Sequence, residues 1–288
     1  MAIAMNHLFC FGLGFSAKAL AARLTGQGWR ITGTSRSAAG AAAIAGLGYR
    51  GLVFDGSAAL PGESFNGVTH VVISVPPGAE GDPVFRHHGN DLSNINWLAY
   101  LSTTGVYGDH GGAWVSEETP LTPNTERGHR RCNAEGDWAS KHAHIFRLAG
   151  IYGPGRNQLL SVLDGTAKRI IKPGQIFSRI HVEDIATVLV AAIAKPNPGR
   201  AYNVADDEPC APQDVVAYAA ELLAMPTPPD TPFAAAKLSP MASSFYADSK
   251  RVGNARISQE LGVQLAFPTY REGLKSLLQD LAPSLATA

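Results

Sequence analysis

Gly12-Leu13-Gly14-Phe15-Ser16-Ala17 sits between two very different stretches of chain. Before it runs His7 to Phe11, short, apolar and bounded by a turn, which reads as a buried strand. After it, Phe15 to Thr25 places Leu20 and Leu24 on one helical face, and Gly26 closes the pattern. A glycine-rich turn leaving a strand and opening a helix has a specific physical use. Gly12 permits the tight turn, and Gly14 lets the backbone come close to a ligand. Ala17 is small enough for helix and strand to pack tightly. The free N–H groups at the helix start then form a site for an anion, and the spacing matches the pyrophosphate cradle of dinucleotide-binding proteins. Gly12, Leu13, Gly14, Phe15 and Ser16 are therefore the expected phosphate-binding residues.

Outward from this turn, strand and helix patterns alternate. Trp29 to Thr34, Arg50 to Phe54, Val68 to Val75, Trp97 to Ser102, Ala143 to Leu148 and Ala201 to Val204 read as strands. Ala38 to Ala45 and Ile185 to Ala194 read as helices. This alternation predicts an α/β protein, a Rossmann doubly wound parallel sheet with a small C-terminal substrate lobe. Residues 1–152, with 176–205 returning to them, are expected to form the nucleotide-binding domain, and 153–175 with 206–288 the lobe. The proline-rich stretch Met225 to Pro240 reads as a surface connector, followed by helices over Ser249 to Leu261 and Tyr270 to Leu281.

The end of the second strand bears on which dinucleotide binds. A carboxylate for the ribose diol is expected about 20 residues after the glycines. The segment is instead Thr34-Ser35-Arg36-Ser37. A hydroxyl beside a guanidinium suits a 2′-phosphate, so Ser35 and Arg36 favour NADP, with NAD as the alternative. Asp55, after the third strand, suits either the adenine amino group or a helix cap. Val75 and Pro76, at the end of the fourth strand, complete the expected cofactor site.

The bulk properties exclude several classes. The chain has 288 residues, of which 45% are hydrophobic, enough for a large core. Lys+Arg and Asp+Glu are both 24, so nothing points to a nucleic-acid partner. No apolar run approaches the roughly 18 residues of a membrane-spanning helix. The apolar stretch Leu8 to Leu24 lacks the basic leader of a signal peptide and is broken by two glycines. Cys10, Cys132 and Cys210 are far apart without metal-ligand spacing, and adjacent His87-His88 lack the spacing of a helical metal pair. The expectation is a cytoplasmic protein without a metal or membrane partner.

Further segments carry a resemblance. Leu101-Ser102-Thr103-Thr104-Gly105-Val106-Tyr107-Gly108 is similar to the Ser/Thr-bearing strand end of extended short-chain dehydrogenases/reductases. Phe146 to Arg156, Arg179-Ile180-His181-Val182-Glu183-Asp184-Ile185-Ala186 and Tyr202 to Asp207 resemble that family's later segments, in order. The glycine turn resembles its atypical, NAD-dependent epimerase/dehydratase-like branch. The resemblance implies a nicotinamide cofactor, a small-molecule substrate and compatibility with a homodimer. It places Thr103 at the residue that hydrogen-bonds the substrate oxygen. The family's Tyr-x-x-x-Lys pair falls on Arg127 and Arg131 of Arg127-Gly128-His129-Arg130-Arg131. Arginine stays protonated, so Arg127 has no proton to trade, while Arg131 could still contact the cofactor as the lysine does.

Tyr107 is then a candidate acid/base or a wall of the cleft, and its ordinary pKa near 10 would have to fall. His110 and His129 are further candidates. Arg147 and Arg179 could clamp an anionic substrate or form ordinary salt bridges. The candidate catalytic residues are thus Thr103, Tyr107 and Arg131, and the candidate substrate residues Arg147 and Arg179. Two functions compete: an NADP-dependent oxidoreductase or epimerase-like enzyme, and a sensor that binds NADP without turning it over.

Overall fold

A computed structural model describes residues 5–285. Strand β1 (His7–Phe11) is buried along its whole length, because both of its faces are covered. Leu8 and Cys10 point to one side, where they meet helix α1 (Phe15–Thr25) through Leu20 and Leu24. Phe9 and Phe11 point to the other, against Val71, Ile73, Tyr100 and Trp138. Each of these fully buried phenylalanines contributes about 1.5–3 kcal/mol of burial.

The central sheet adds β2 (Arg30–Ser35), β3 (Arg50–Val53), β4 (His70–Ile73), β5 (Trp97–Thr103), β6 (His144–Leu148) and β7 (Ala201–Val204). Its seven strands lie in the order β7-β6-β5-β4-β1-β2-β3, all parallel. The order reverses between β1 and β4. The carboxyl ends of these two strands are therefore where a doubly wound sheet opens its crevice. Helices α2 (Ala38–Ala45), α3 (Pro83–His88), α4 (Glu126–Ala139), α5 (Gln158–Leu163), α6 (Val182–Ala194) and α7 (Pro212–Leu222) follow along the chain. Of these, α1 and α6 pack together on one face of the sheet, tied by Arg23 donating to Glu183 and Thr187. On the other face α4 buries Ala134 and Trp138, and the Trp138 indole donates to the Asp82 carboxylate that caps α3.

A separate apolar cluster joins Tyr152, Leu159, Val215, Ala219, Tyr270 and Leu274. Helix α7, absent from the sequence reading, carries its own start signal, a proline in the first turn. Two expectations change. Ser249 to Leu261 is not one helix: Arg251–Val252 pairs as a strand with Trp114–Val115, and the helix spans only Ala255–Leu261. Gly253 donates to the Val115 carbonyl and Asn254 leaves the helical backbone region, so strand pairing outcompetes a turn of helix. The connector over Met225 to Pro240 includes a short strand, Asp230–Pro232, parallel to Arg169–Ile171. No helix among the described residues is long and apolar enough to cross a membrane.

Candidate active site

The glycine turn lies at the carboxyl end of β1, beside the reversal point. Gly12 has φ +80, and a Cβ there would lie 3.0 Å from Ser74 Oγ and 3.2 Å from Val75 Cγ2. The turn is held from both neighbouring strands. Gly12 N–H donates to Thr34 Oγ1 at 2.8 Å, Leu13 N–H to the Thr34 carbonyl at 3.0 Å, and Ser74 Oγ donates to the Gly12 carbonyl at 2.6 Å. Leu13 is buried under Gly33, where a Cβ would come within 2.7 Å of the Leu13 Cβ. Gly14 caps α1 without any side-chain partner and faces open space. The first N–H groups of a helix have no intrahelical acceptor, so this uncapped end is free to serve an anion.

Gly14, Phe15 and Ser16 form one end of a cleft of about 830 Å³. Across it lie Ser102 and Thr103 from the end of β5, Arg127 and Arg131 from α4, Arg156 from a loop beyond β6, and Arg179 from the short strand Arg179–His181. Thr103 Oγ1 accepts from Gly105 N–H at 3.2 Å, which leaves its own proton available to a ligand oxygen. Arg131 is buried and donates to Tyr100 Oη at 3.0 Å and to the Leu101 carbonyl at 2.8 Å. Arg179 is buried in the cleft wall, with Nη1 donating to the Phe177 carbonyl at 3.2 Å. Behind it, desolvation pushes the Asp206 carboxyl up to about 8, against the opposing pull of Arg179.

Two candidates do not reach the cleft. Tyr107 is fully buried; its phenol donates to Asn203 Oδ1 at 2.7 Å and accepts from Arg147 Nη1 at 2.9 Å. Burial raises its pKa, the opposite of what an acid/base role needs. Arg147 is spent in a buried pair with Glu135, Nη2 to Oε2 at 2.9 Å, and so cannot clamp a substrate. Both belong to one polar strut, Glu135–Arg147–Tyr107–Asn203, whose members satisfy one another.

The expected cofactor residues divide as well. Val75 packs on the glycine turn, whereas Pro76 is exposed. Ser35 turns toward the first turn of α2, since a Cβ on Gly40 would overlap its hydroxyl. Arg36 is exposed at the end of β2. Asp55 is also exposed, and it accepts from Ser57 N–H at 2.9 Å. Hydrogen bonds from the Ser57 hydroxyl and amide hold its carboxyl below the usual range. Of the two histidines, His110 Nε2 donates to the Tyr107 carbonyl at 3.1 Å, and His129 is exposed on α4; neither lines the cleft.

A conserved protein of unknown function from Silicibacter pomeroyi DSS is 52% identical, with a TM-score of 0.89 over 96% of this chain and 99% of that one. The chain belongs to that protein's family. Protein YeeZ of Escherichia coli K12 is 26% identical over 92% of this chain and 97% of its own length. No family model matches the chain. Solved structures of similar fold include UDP-glucuronic acid 4-epimerase from Bacillus cereus in complex with NAD, 15% identical, with a TM-score of 0.73 over 96% of this chain and 99% of that one. Another is dTDP-glucose 4,6-dehydratase from Bacillus anthracis str. Ames in complex with NAD, 17% identical, with a TM-score of 0.73 over 96% of each chain.

Several cleft residues escaped the sequence reading. Lys250, buried, pairs with Asp248 Oδ2 at 3.1 Å, and desolvation pushes its ammonium pKa down. It immediately precedes the short strand Arg251–Val252, in a stretch expected to be helical, so no pattern in the chain marked it. Ser102 Oγ is buried in the same cleft with no hydrogen-bond partner. Arg127 and Arg156 lie at the rim, over the rings of Phe245 and Phe15.

Proposed function

We propose that this chain is a nicotinamide-dinucleotide-dependent enzyme of the oxidoreductase or epimerase-like type, acting on a small molecule. One observation carries the reading: the uncapped start of α1, the Thr103 hydroxyl and the Lys250 amine share a single cleft. The pyrophosphate would rest on Gly12, Leu13, Gly14, Phe15 and Ser16, with Val75 and Pro76 beside it, and the bound cofactor supplies or accepts hydride. Thr103 would hold the substrate oxygen, and Arg131 braces the end of β5 through Tyr100 and the Leu101 carbonyl. Lys250, whose ammonium pKa burial pushes down against the pull of Asp248, is the cleft amine best suited to exchange a proton. Residues 1–152 with 176–205 serve as the cofactor domain, and 153–175 with 206–288 as the substrate lobe; residues 1–4 and 286–288 lie outside the described residues.

Ser35 and Arg36 favour NADP over NAD. Fluorescence titration is expected to show NADPH binding more tightly than NADH. Arg36→Leu should cut that preference by about tenfold, the worth of one charge-assisted contact to phosphate. Equal affinities in the unaltered protein would overturn the NADP preference, and absence of binding for both would overturn the cofactor reading itself.

A second reading is supported by the family resemblance, which puts Arg127 and Arg131, both on α4, at the positions of a proton-trading pair. On that reading the protein senses NADP and passes on a change of state. Bound NADPH that is never oxidised, whichever fraction of a metabolite extract is added, would favour the sensor.

A further inference from the structure

We infer that Arg127, Arg131 and Arg156 form a second anion site, separate from the cofactor's pyrophosphate, that holds a phosphate or carboxylate of the substrate beside Thr103. The inference deepens the enzyme reading above and rests on it.

The cleft is lopsided in charge. Arg127, Arg131, Arg156, Lys168, Arg179 and Lys250 line it, against a single carboxylate, Asp248, already paired to Lys250. Among the described residues, none of Arg127, Arg131 and Arg156 has a carboxylate within ion-pair distance; the nearby Glu126 pairs with Arg130 instead. Arg127 feels the charges of the other two. Partial desolvation, then the charges of Arg131 and Arg156, push the Arg127 pKa down. Like charges gathered without a counter-ion cost free energy unless something anionic joins them.

Their settings suit a docked oxyanion. Arg131 is anchored from behind by Tyr100 and Leu101, so its guanidinium is oriented before any ligand arrives. Arg127 and Arg156 rest on the faces of Phe245 and Phe15, which positions them without consuming their forked donors. Ser102 Oγ adds an independent sign, a buried hydroxyl in this cleft with no partner of its own. A planar carboxylate or a phosphate fits such forks bidentately. Because Thr103 lies in the same cleft, the anionic group would sit close to the reacting carbon. The substrate class is then a small acid or phosphate ester carrying its charge near the carbonyl or carbinol that reacts.

The probe is inorganic phosphate, titrated calorimetrically at constant ionic strength with chloride as the balancing salt. Saturable binding is expected, with Arg127→Met and Arg156→Met each weakening it by about tenfold. Arg130→Met, which removes a neighbouring charge bound to Glu126, should leave it unchanged. Saturating NADH or NADPH should leave phosphate binding intact. NADPH affinity of each variant serves as the check that it is folded. Equal, weak binding in the parent and all three variants would overturn the site, and so would displacement of phosphate by the dinucleotide, which would give these arginines to the cofactor. Failure of the unaltered protein to bind either dinucleotide would instead count against the cofactor reading, while the Arg127 and Arg156 variants would still judge the anion site.

Discussion

Tyr107 shows how far one hydroxyl's role depends on what surrounds it. By order along the chain it stands close to Thr103, yet its phenol is fully buried and joins Asn203 to Arg147. Tyr107→Phe removes one donor and one acceptor from this strut, leaving Asn203 Oδ1 and Arg147 Nη1 each short of a partner. A loss of about 1–3 kcal/mol in unfolding free energy is expected by denaturant titration, with NADPH affinity unchanged. A variant as stable as the parent but impaired in turnover would return Tyr107 to the catalytic set. Arg147 follows the same logic. Its charge is matched by Glu135 in a buried bidentate pair, so the residue stabilises the wall of the cleft and meets no ligand.

At the scale of elements, the join of β1, β2 and the glycine turn leaves no room for a side chain at Gly33 of β2. Gly33 in β2 passes so close to Leu13 that a methyl group would stand 2.7 Å from the Leu13 Cβ. Gly33→Ala must therefore displace the turn itself. Both a lower melting temperature, from overpacking of about 1–3 kcal/mol, and weaker dinucleotide binding are expected. Gly14→Ala makes the contrast, since its added methyl enters open space and the backbone there has an ordinary φ of −87. That variant should keep its melting temperature within a few degrees, the cost of an alanine at a helix cap being about 1 kcal/mol, and lose dinucleotide affinity. Equal loss of stability in both variants would mean that Gly14 is a packing residue and not a cradle.

For the whole molecule, stability is expected to fall toward acid because of buried imidazoles. Desolvation lowers His7, His70 and His181 from 6.5 to about 4 in the folded state. The unfolded chain binds protons at these positions below pH 6.5 while the folded one does not. Their contribution is present above about pH 6.5 and is lost as pH falls toward 4. Asp206 runs the other way: its folded pKa is raised from 3.8 to about 8, so its contribution is present below pH 3.8 and fades as pH rises through 8. Urea midpoints measured across this range should show the acid-side fall. His181→Asn, which retains a side-chain acceptor for the start of α6, should make it shallower. An unchanged slope in that variant would show that His181 titrates alike in both states.

Much of this was legible in the chain because it depends on neighbours in sequence. The run His7–Phe11, the glycines after it and the helical spacing of Leu20 and Leu24 are local facts, and they specify strand, turn and helix wherever the segment lies. The parallel sheet follows from the alternation of such units, since parallel strands require crossover connections. The contents of the cleft were not legible in this way. Lys250 enters it because Arg251–Val252 finds a pairing partner in Trp114–Val115, far away along the chain. Arg147 leaves the list of ligand residues because α4 delivers Glu135 to it. Whether an arginine faces a carboxylate or an empty cleft is a question of which distant backbone arrives beside it. Local spacing determined the elements, and long-range packing decided which of their charges were left for a ligand.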